Sequence, residues 1–171
     1  PLLDVADFTI EKEIKDILKS VGSSYYTEGL TSLKSLNSNS FDLIYSQAVL
    51  EHVRKREFKD TISECYRLLK NGGIMSHVVD YKDHLGGELN NMRFSSAFWE
   101  KESFAKNSGF YTNRIRLSQM VSICEDVGFT VDVKNKRYWN VLPIKRNRLA
   151  IEFENLSDDD LLVSGAHLIM A

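Results

Sequence analysis

The sequence predicts an α/β domain: a doubly wound, mostly parallel sheet with an antiparallel edge strand near the C-terminus. Three observations carry this. Short apolar runs alternate with segments whose apolar residues recur three and four apart, as when crossover helices link neighbouring strands. Helical segments stop on glycines, at Gly22, at Gly72-Gly73 and at Gly128. The last two strand-like segments, with alternating apolar residues, fit an antiparallel edge. With 43% hydrophobic and 27% charged residues the chain can bury a real core. No repeat, low-complexity tract or linker divides it, so residues 1–171 are read as one partial domain.

In order, Leu2–Val5 reads as a strand, and Ile10–Val21 as a helix with Thr9 as its cap and Ile14, Ile17, Leu18 and Val21 on one face. Ser24–Glu28 is a brief β-like stretch, and Phe41–Ser46 a strand after the turn cluster 37–40. A helix is expected over Glu51–Lys70, with Phe58, Ile62, Cys65 and Leu69 inward. Ile74–Tyr81 is the next strand. Residues 82–116 show no clear period and are rich in aromatics and asparagine. Ser118 reads as the N-cap of a helix burying Met120, Cys124 and Val127. Thr130–Tyr138 alternates like a strand, Arg146–Leu156 suits a short helix, Asp158–Asp160 a solvated turn, and Leu161–Met170 the last strand.

The net charge of −2 gives no reason to expect nucleic acid or an anionic membrane as partner. No apolar run approaches the ~18–20 residues of a membrane span. The two cysteines, Cys65 and Cys124, fall at apolar helix positions and suit a reducing, cytoplasmic setting rather than a disulfide or zinc site. The chain opens at Pro1 inside an apolar run, which reads as a cut within a domain.

Three motifs carry a family resemblance. Phe41-Asp42-Leu43 runs through Ser46-Gln47 to Leu50-Glu51-His52-Val53, Leu68-Leu69-Lys70-Asn71-Gly72-Gly73 follows, then Glu125-Asp126-Val127-Gly128-Phe129. In this order and spacing they resemble strand four, the turn before strand five and the helix end before strand six of class I (Rossmann-like) S-adenosylmethionine-dependent methyltransferases. The family's turn proline is Asn71 here. The resemblance implies the sheet order 3-2-1-4-5-7-6 and S-adenosylmethionine as cofactor. The family's glycine-rich loop after strand one has no counterpart, for Gly-x-Gly-x-Gly occurs nowhere. Leu2–Val5 is then either strand one with an altered loop or strand two with strand one upstream. The run from Asp4 to Asp42 holds one helix and one further β segment, which favours strand two. Under that reading strand one is missing, Asp4 is the acid facing the ribose hydroxyls, and the parent, more than this piece, binds the cofactor. A homo-oligomer through the vacated edge is one way to complete the sheet.

Ligands of open α/β sheets sit beyond the C-terminal strand ends. That rule selects Asp4, Glu28, Leu30, Ser46 and Gln47 toward the cofactor. Gln47 offers an amide that both donates and accepts. Toward catalysis it selects His52, Asp80 and His84, with an imidazole suited to general-base work on a hydroxyl or amine. His77 and Asp80, three apart in a strand, should diverge, so no metal site is expected. Residues 85–116 fall where the family places a variable substrate cap, and Arg93, Tyr111, Asn113 and Arg114 there suit a polar small molecule, saccharide-related or anionic. The expected function is methyl transfer to such a molecule, and the alternative is a non-catalytic methyltransferase-like binding or assembly module.

Overall fold

The computed structural model describes residues 14–171. The strand expected at Leu2–Val5, the acid Asp4 and the first turn of the first helix lie outside the described residues. Within them, α1 (Ile14–Ser20) ends where Gly22 turns left-handed at φ 66°, as the stop signal predicted. Ser24–Glu28, expected as a β stretch, is exposed and irregular and leads into α2 (Leu30–Ser35). A strand needs a neighbour for its ladder, and none of the described strands runs beside this segment.

The sheet has the order β1-β2-β4-β3, built from β1 (Phe41–Gln47), β2 (Leu69–Asp80), β3 (Val131–Tyr138) and β4 (Val163–Met170). β1 and β2 are parallel, while β4 runs antiparallel to both β2 and β3. The last strand is therefore inside the sheet, and β3 forms the antiparallel edge.

The helix expected from Glu51 to Lys70 is interrupted. A 3-10 turn, Leu50–His52, comes first; Val53 and Arg54 are extended; α3 (Lys55–Leu68) follows. The glycine turn predicted to end α3 lies within β2 instead. Phe41 pairs with Leu69 but Leu43 with Ile74, so the glycine segment bulges out of the ladder. Gly72 has φ 79°, and a Cβ on Gly73 would stand 3.1 Å from the Phe41 carbonyl oxygen, which is why the bulge needs both glycines.

Phe58, Ile62 and Cys65 of α3 join Met120 and Cys124 of α6 (Leu117–Val127) over Met75, Val79 and Leu168 of the sheet, forming the main core. Ser118 is not the cap of α6. Arg116 holds that position, and the Asp160 carboxylate accepts from the Ser118 backbone N–H at 3.0 Å and its hydroxyl at 2.7 Å. Asp160 belongs to α7 (Asp158–Leu161), so the acidic turn is solvated at Asp158 and Asp159 but buried at Asp160. On the opposite sheet face Leu43, Tyr45 and Ile74 are exposed.

A second core joins Leu89 and Met92 to Ile144, Leu149, Phe153 and Leu161. The cap is therefore made of two chain segments. The first holds α4 (Ser96–Trp99) and α5 (Glu102–Asn107), and the second holds 3-10 turns at Arg146–Arg148 and Ile151–Phe153 in place of the expected helix. The Ala150 N–H donates to the Met92 carbonyl at 2.8 Å and fastens one segment to the other.

Candidate active site

The site begins where β1 ends. Ala48 takes φ 52°, rare for a residue with a side chain, and its N–H still donates to the Val78 carbonyl at 2.8 Å. This turns the chain out of the sheet and into the 3-10 turn that carries Glu51 and His52. Beyond β2, the buried Asp83 carboxylate accepts from the backbone N–H groups of Leu85, Gly87, Glu88 and Asn91. That gathering of amides folds the loop tightly and leaves His84 exposed.

The two turns meet. The His52 and His84 rings have centroids 4.9 Å apart. Glu51, next to His52 in the chain, is 5% exposed, and the charges of Asp80 and His84 act on its carboxyl. Burial, opposed by nearby backbone amides and reinforced by the Asp80 charge, pushes the Glu51 carboxyl up to about 7. The three residues selected for catalysis thus gather at the ends of β1 and β2, together with an acid that the sequence reading passed over. Its signal was present: Glu51 stands in the same Leu50-Glu51-His52 motif that drew attention to His52.

A strap, Tyr111–Leu117, runs behind these turns with every residue buried. The Asn113 amide donates to the carbonyls of Leu50 and Val53 at 2.8 and 3.0 Å, and its N–H donates to the Glu51 carbonyl at 2.7 Å. The Tyr111 carbonyl bonds the His52 Nδ1 at 3.2 Å, while its hydroxyl donates to Glu100 and accepts from the Lys55 N–H. Arg114 donates to the carbonyls of Asn91 and Phe94 and to the Ser96 hydroxyl, and its guanidinium lies over Trp99 and Phe153. Tyr111, Asn113 and Arg114 were selected to meet a substrate. Here their polar groups hold the turn and the cap together. Arg93 is exposed on the cap.

On the cofactor side, Gln47 is exposed at the end of β1, whereas Ser46 bonds the Nδ1 of the buried His77 at 2.6 Å. Ser46 is thus engaged with the sheet. Burial, then the neighbouring His167, pushes His77 down to about 4, so it is neutral. Glu28 and Leu30 flank the start of α2, with Glu28 exposed and its N–H bonded to the Ser32 hydroxyl. No described contact joins them to the histidine pair. Among the described residues no group of three or more His, Cys, Asp or Glu side chains is placed to hold a metal ion. No described helix is long and apolar enough to cross a membrane.

A sheet in which a reversed strand enters between β2 and β3 is the 4-5-7-6 half of the methyltransferase order. Comparison agrees. Residues 6–76 match the family model of a methyltransferase domain. The fold is similar to that of an S-adenosylmethionine-dependent methyltransferase from Archaeoglobus fulgidus, at 14% identity and TM-score 0.53, covering 86% of this chain and 66% of that one. A second such enzyme, from Methanosarcina mazei, gives 18% identity, TM-score 0.52 and the same coverage. A third, from Thermotoga maritima and described as a possible histamine N-methyltransferase, gives 18% identity and TM-score 0.50, covering 91% of this chain and 67% of that one. This chain spans about two-thirds of each neighbour's length. No curated protein matches the sequence. Residues 6–76 are thus similar to a methyltransferase domain, and the described residues share the fold of S-adenosylmethionine-dependent methyltransferases.

Proposed function

We propose that this chain forms the acceptor side of a methyl-transfer site that uses S-adenosylmethionine and modifies a polar small molecule. The observation that carries the reading is the His52–His84 pair beyond the ends of β1 and β2, beside the buried Glu51. Bound S-adenosylmethionine would supply a methyl carbon activated on a sulfonium, and the protein's part is orientation, exclusion of water and removal of a proton. His84, which is exposed, takes the proton from the acceptor's hydroxyl or amine, with the His52 ring beside it. Gln47 fits the zwitterionic end of the cofactor, beside Ser46. Asp4, Glu28 and Leu30 remain the candidates for its adenosine end. Arg93 is the selected cap residue whose side chain is exposed. A saccharide-related acceptor suits the cap's aromatic and amide content. A cytoplasmic setting, with no nucleic-acid partner, suits the charge and the free, buried cysteines.

One observation favours the non-catalytic reading. The 171 residues contain no Gly-x-Gly-x-Gly loop, so the phosphate-free but equally close cradle that the family uses for its cofactor has no evident source here. Calorimetry with S-adenosylhomocysteine decides, on this chain and on any longer form its gene encodes ahead of Pro1. Binding is expected for a form that carries the loop. If neither form binds, the enzyme reading fails and the binding module stands.

A further inference from the structure

His52 and His84 are both exposed, and their rings lie 4.9 Å apart at 51°, but they are held in different ways. Around His84 the Asp83 carboxylate fixes only the backbone, through the N–H groups of Leu85, Gly87, Glu88 and Asn91. Among the described residues the His84 ring makes no hydrogen bond, and its ring contact is His52. His52 is anchored: its Nδ1 stands 3.2 Å from the Tyr111 carbonyl oxygen. A carbonyl only accepts, so Nδ1 donates. The neutral ring therefore carries its hydrogen on Nδ1 and its lone pair on Nε2.

The carbonyl that anchors the ring is itself fixed. Tyr111 is buried, its hydroxyl donates to Glu100 at 2.9 Å and accepts from the Lys55 N–H at 3.0 Å, and the Arg54 guanidinium lies over its ring. Two residues further along the strap, Asn113 bonds the carbonyls of Glu51 and Val53, the chain neighbours of His52, and that of Leu50. One strap thus holds both the main chain and the ring of His52. Packing does not require the ring bond. An exposed imidazole can bond water at both nitrogens, and Asn113 already ties the turn to the strap.

We propose that Tyr111 and His52 are positioning residues for His84, a role that rests on His84 being the proton acceptor of the proposed site. The Tyr111 carbonyl sets the orientation and tautomer of His52, and the fixed His52 ring holds the otherwise unanchored ring of His84. A base must keep its orientation to take a proton in the transition state. The tautomer matters as well. With its hydrogen on Nδ1, His52 has no N–H on Nε2 to donate to the lone pair that His84 uses. In the transfer, the acceptor's heteroatom forms its bond to the methyl carbon, the carbon–sulfur pair returns to sulfur, and the acceptor's proton goes to His84. His52 exchanges no atom with the substrate.

The test begins on the chain without cofactor. Long-range ¹H–¹⁵N spectra of histidine-labelled protein in alkaline buffer should show neutral His52 with its hydrogen on Nδ1, the reverse of the form that free histidine favours in water. His52→Asn keeps a donor for the Tyr111 carbonyl but removes the ring. In it the His84 ring signals should move to those of free histidine, while the Tyr111 amide signal stays near its wild-type position. In a form that carries the cofactor loop, with an acceptor found by S-adenosylhomocysteine release from a panel of sugars, alcohols and amines, His52→Asn should lower kcat about tenfold or more. Affinity for S-adenosylhomocysteine should stay within about twofold, because His52 acts on the base and not on the cofactor. The proposal is overturned if His52 carries its hydrogen on Nε2, a measurement that needs no variant to fold. It is overturned equally if His52→Asn leaves the His84 signals, or kcat, unchanged. Failure of every form to bind S-adenosylhomocysteine would instead sink the methyltransferase reading and leave the tautomer result standing.

Discussion

The strap Tyr111–Leu117 and the strand β1 are each seven residues long, and they invert the usual relation between regularity and burial. The strap has no regular structure before α6 begins, yet all seven residues are buried. β1 is a regular strand, yet five of its residues are exposed and two half-buried. Irregular segments normally lie at the surface because their backbone groups need water. The strap escapes that rule through side chains. The Trp99 indole donates to the Thr112 carbonyl at 2.8 Å, Asn113 accepts from the Ile115 N–H, and Asn113 in turn holds the Glu51 turn. β1 has the opposite condition: its backbone is bonded on one side by β2, and no described strand lies on the other. Among the described residues the cap side is closed and cross-braced, and the β1 side is open.

The largest effect should come from breaking the strap. The guanidinium of Arg116, a residue 2% exposed, reaches the Tyr81 carbonyl just past β2, the Asp160 and Leu161 carbonyls at the end of α7 and the Val163 carbonyl at the start of β4. Arg116→Met keeps much of the volume and removes every donor. With several buried carbonyls left unmet, stability in urea unfolding should fall by on the order of 3–5 kcal/mol. Leu43→Thr on β1, 50% exposed, should cost within about 0.5 kcal/mol. Similar losses for the two variants would show that the strap's bonds are replaceable by water, and the contrast would collapse.

The next effect concerns two buried ionisable groups with opposite signs. Glu51 has its folded pKa raised to about 7. Its protonated form is favoured in the fold, so its contribution is fully present below the unfolded value, ~4.3, and is lost as pH rises toward 7. His77 has its folded pKa lowered to about 4. Its contribution is present above the unfolded value, ~6.5, and is lost as pH falls toward 4. Each amounts to about 3 kcal/mol at most. Between pH 4.5 and 6.5 the two slopes oppose each other, and wild-type stability should be nearly flat if no other group intervenes. Glu51→Gln should leave stability rising with pH, and His77→Gln should leave it falling. Urea unfolding at three pH values checks this, and variants with parallel slopes would rule it out.

What was legible in the sequence follows the same division. β1, α3, β2, α6, β3 and β4 each carry a local signal, in apolar period or glycine stop, and each forms near its expected place. The misses are non-local. Ser118 looks like a cap because of its type and position, but the cap comes from Asp160, 42 residues away. Ser24–Glu28 has strand-like residues, and only a neighbouring strand could make them one. Arg146–Leu156 reads as a short helix, but it forms two 3-10 turns, with Leu149 and Phe153 packed in one core with Leu89 and Met92. For the site, strand ends led to His52, Asp80 and His84 because position alone selects them. Tyr111, Asn113 and Arg114 are of types that suit a ligand, and composition could not tell that their partners would be groups of the protein itself.

The smallest expected effect on stability tests the open side. Edge strands are usually guarded by a lysine, a proline or a bulge. In β1 the stretch Leu43–Gln47 pairs regularly with Ile74–Val78 and contains none of these. Its one charge, Asp42, bonds Lys70 at 2.7 Å. Leu43 and Tyr45 stand exposed on the same face, and a cleft lined by Leu33, Leu36, Phe41 and Leu68 lies beside the strand. Such an edge takes up another strand, whether from the same chain or from a second copy. Tyr45→Lys places a charge at a position 75% exposed. Stability should change by less than about 0.5 kcal/mol, and concentration-dependent association, followed by sedimentation, should weaken at least severalfold. If the wild-type chain sediments as a monomer at every concentration, β1 is already covered by its own chain. The contrast with the strap would then be one of how burial is achieved rather than whether it is.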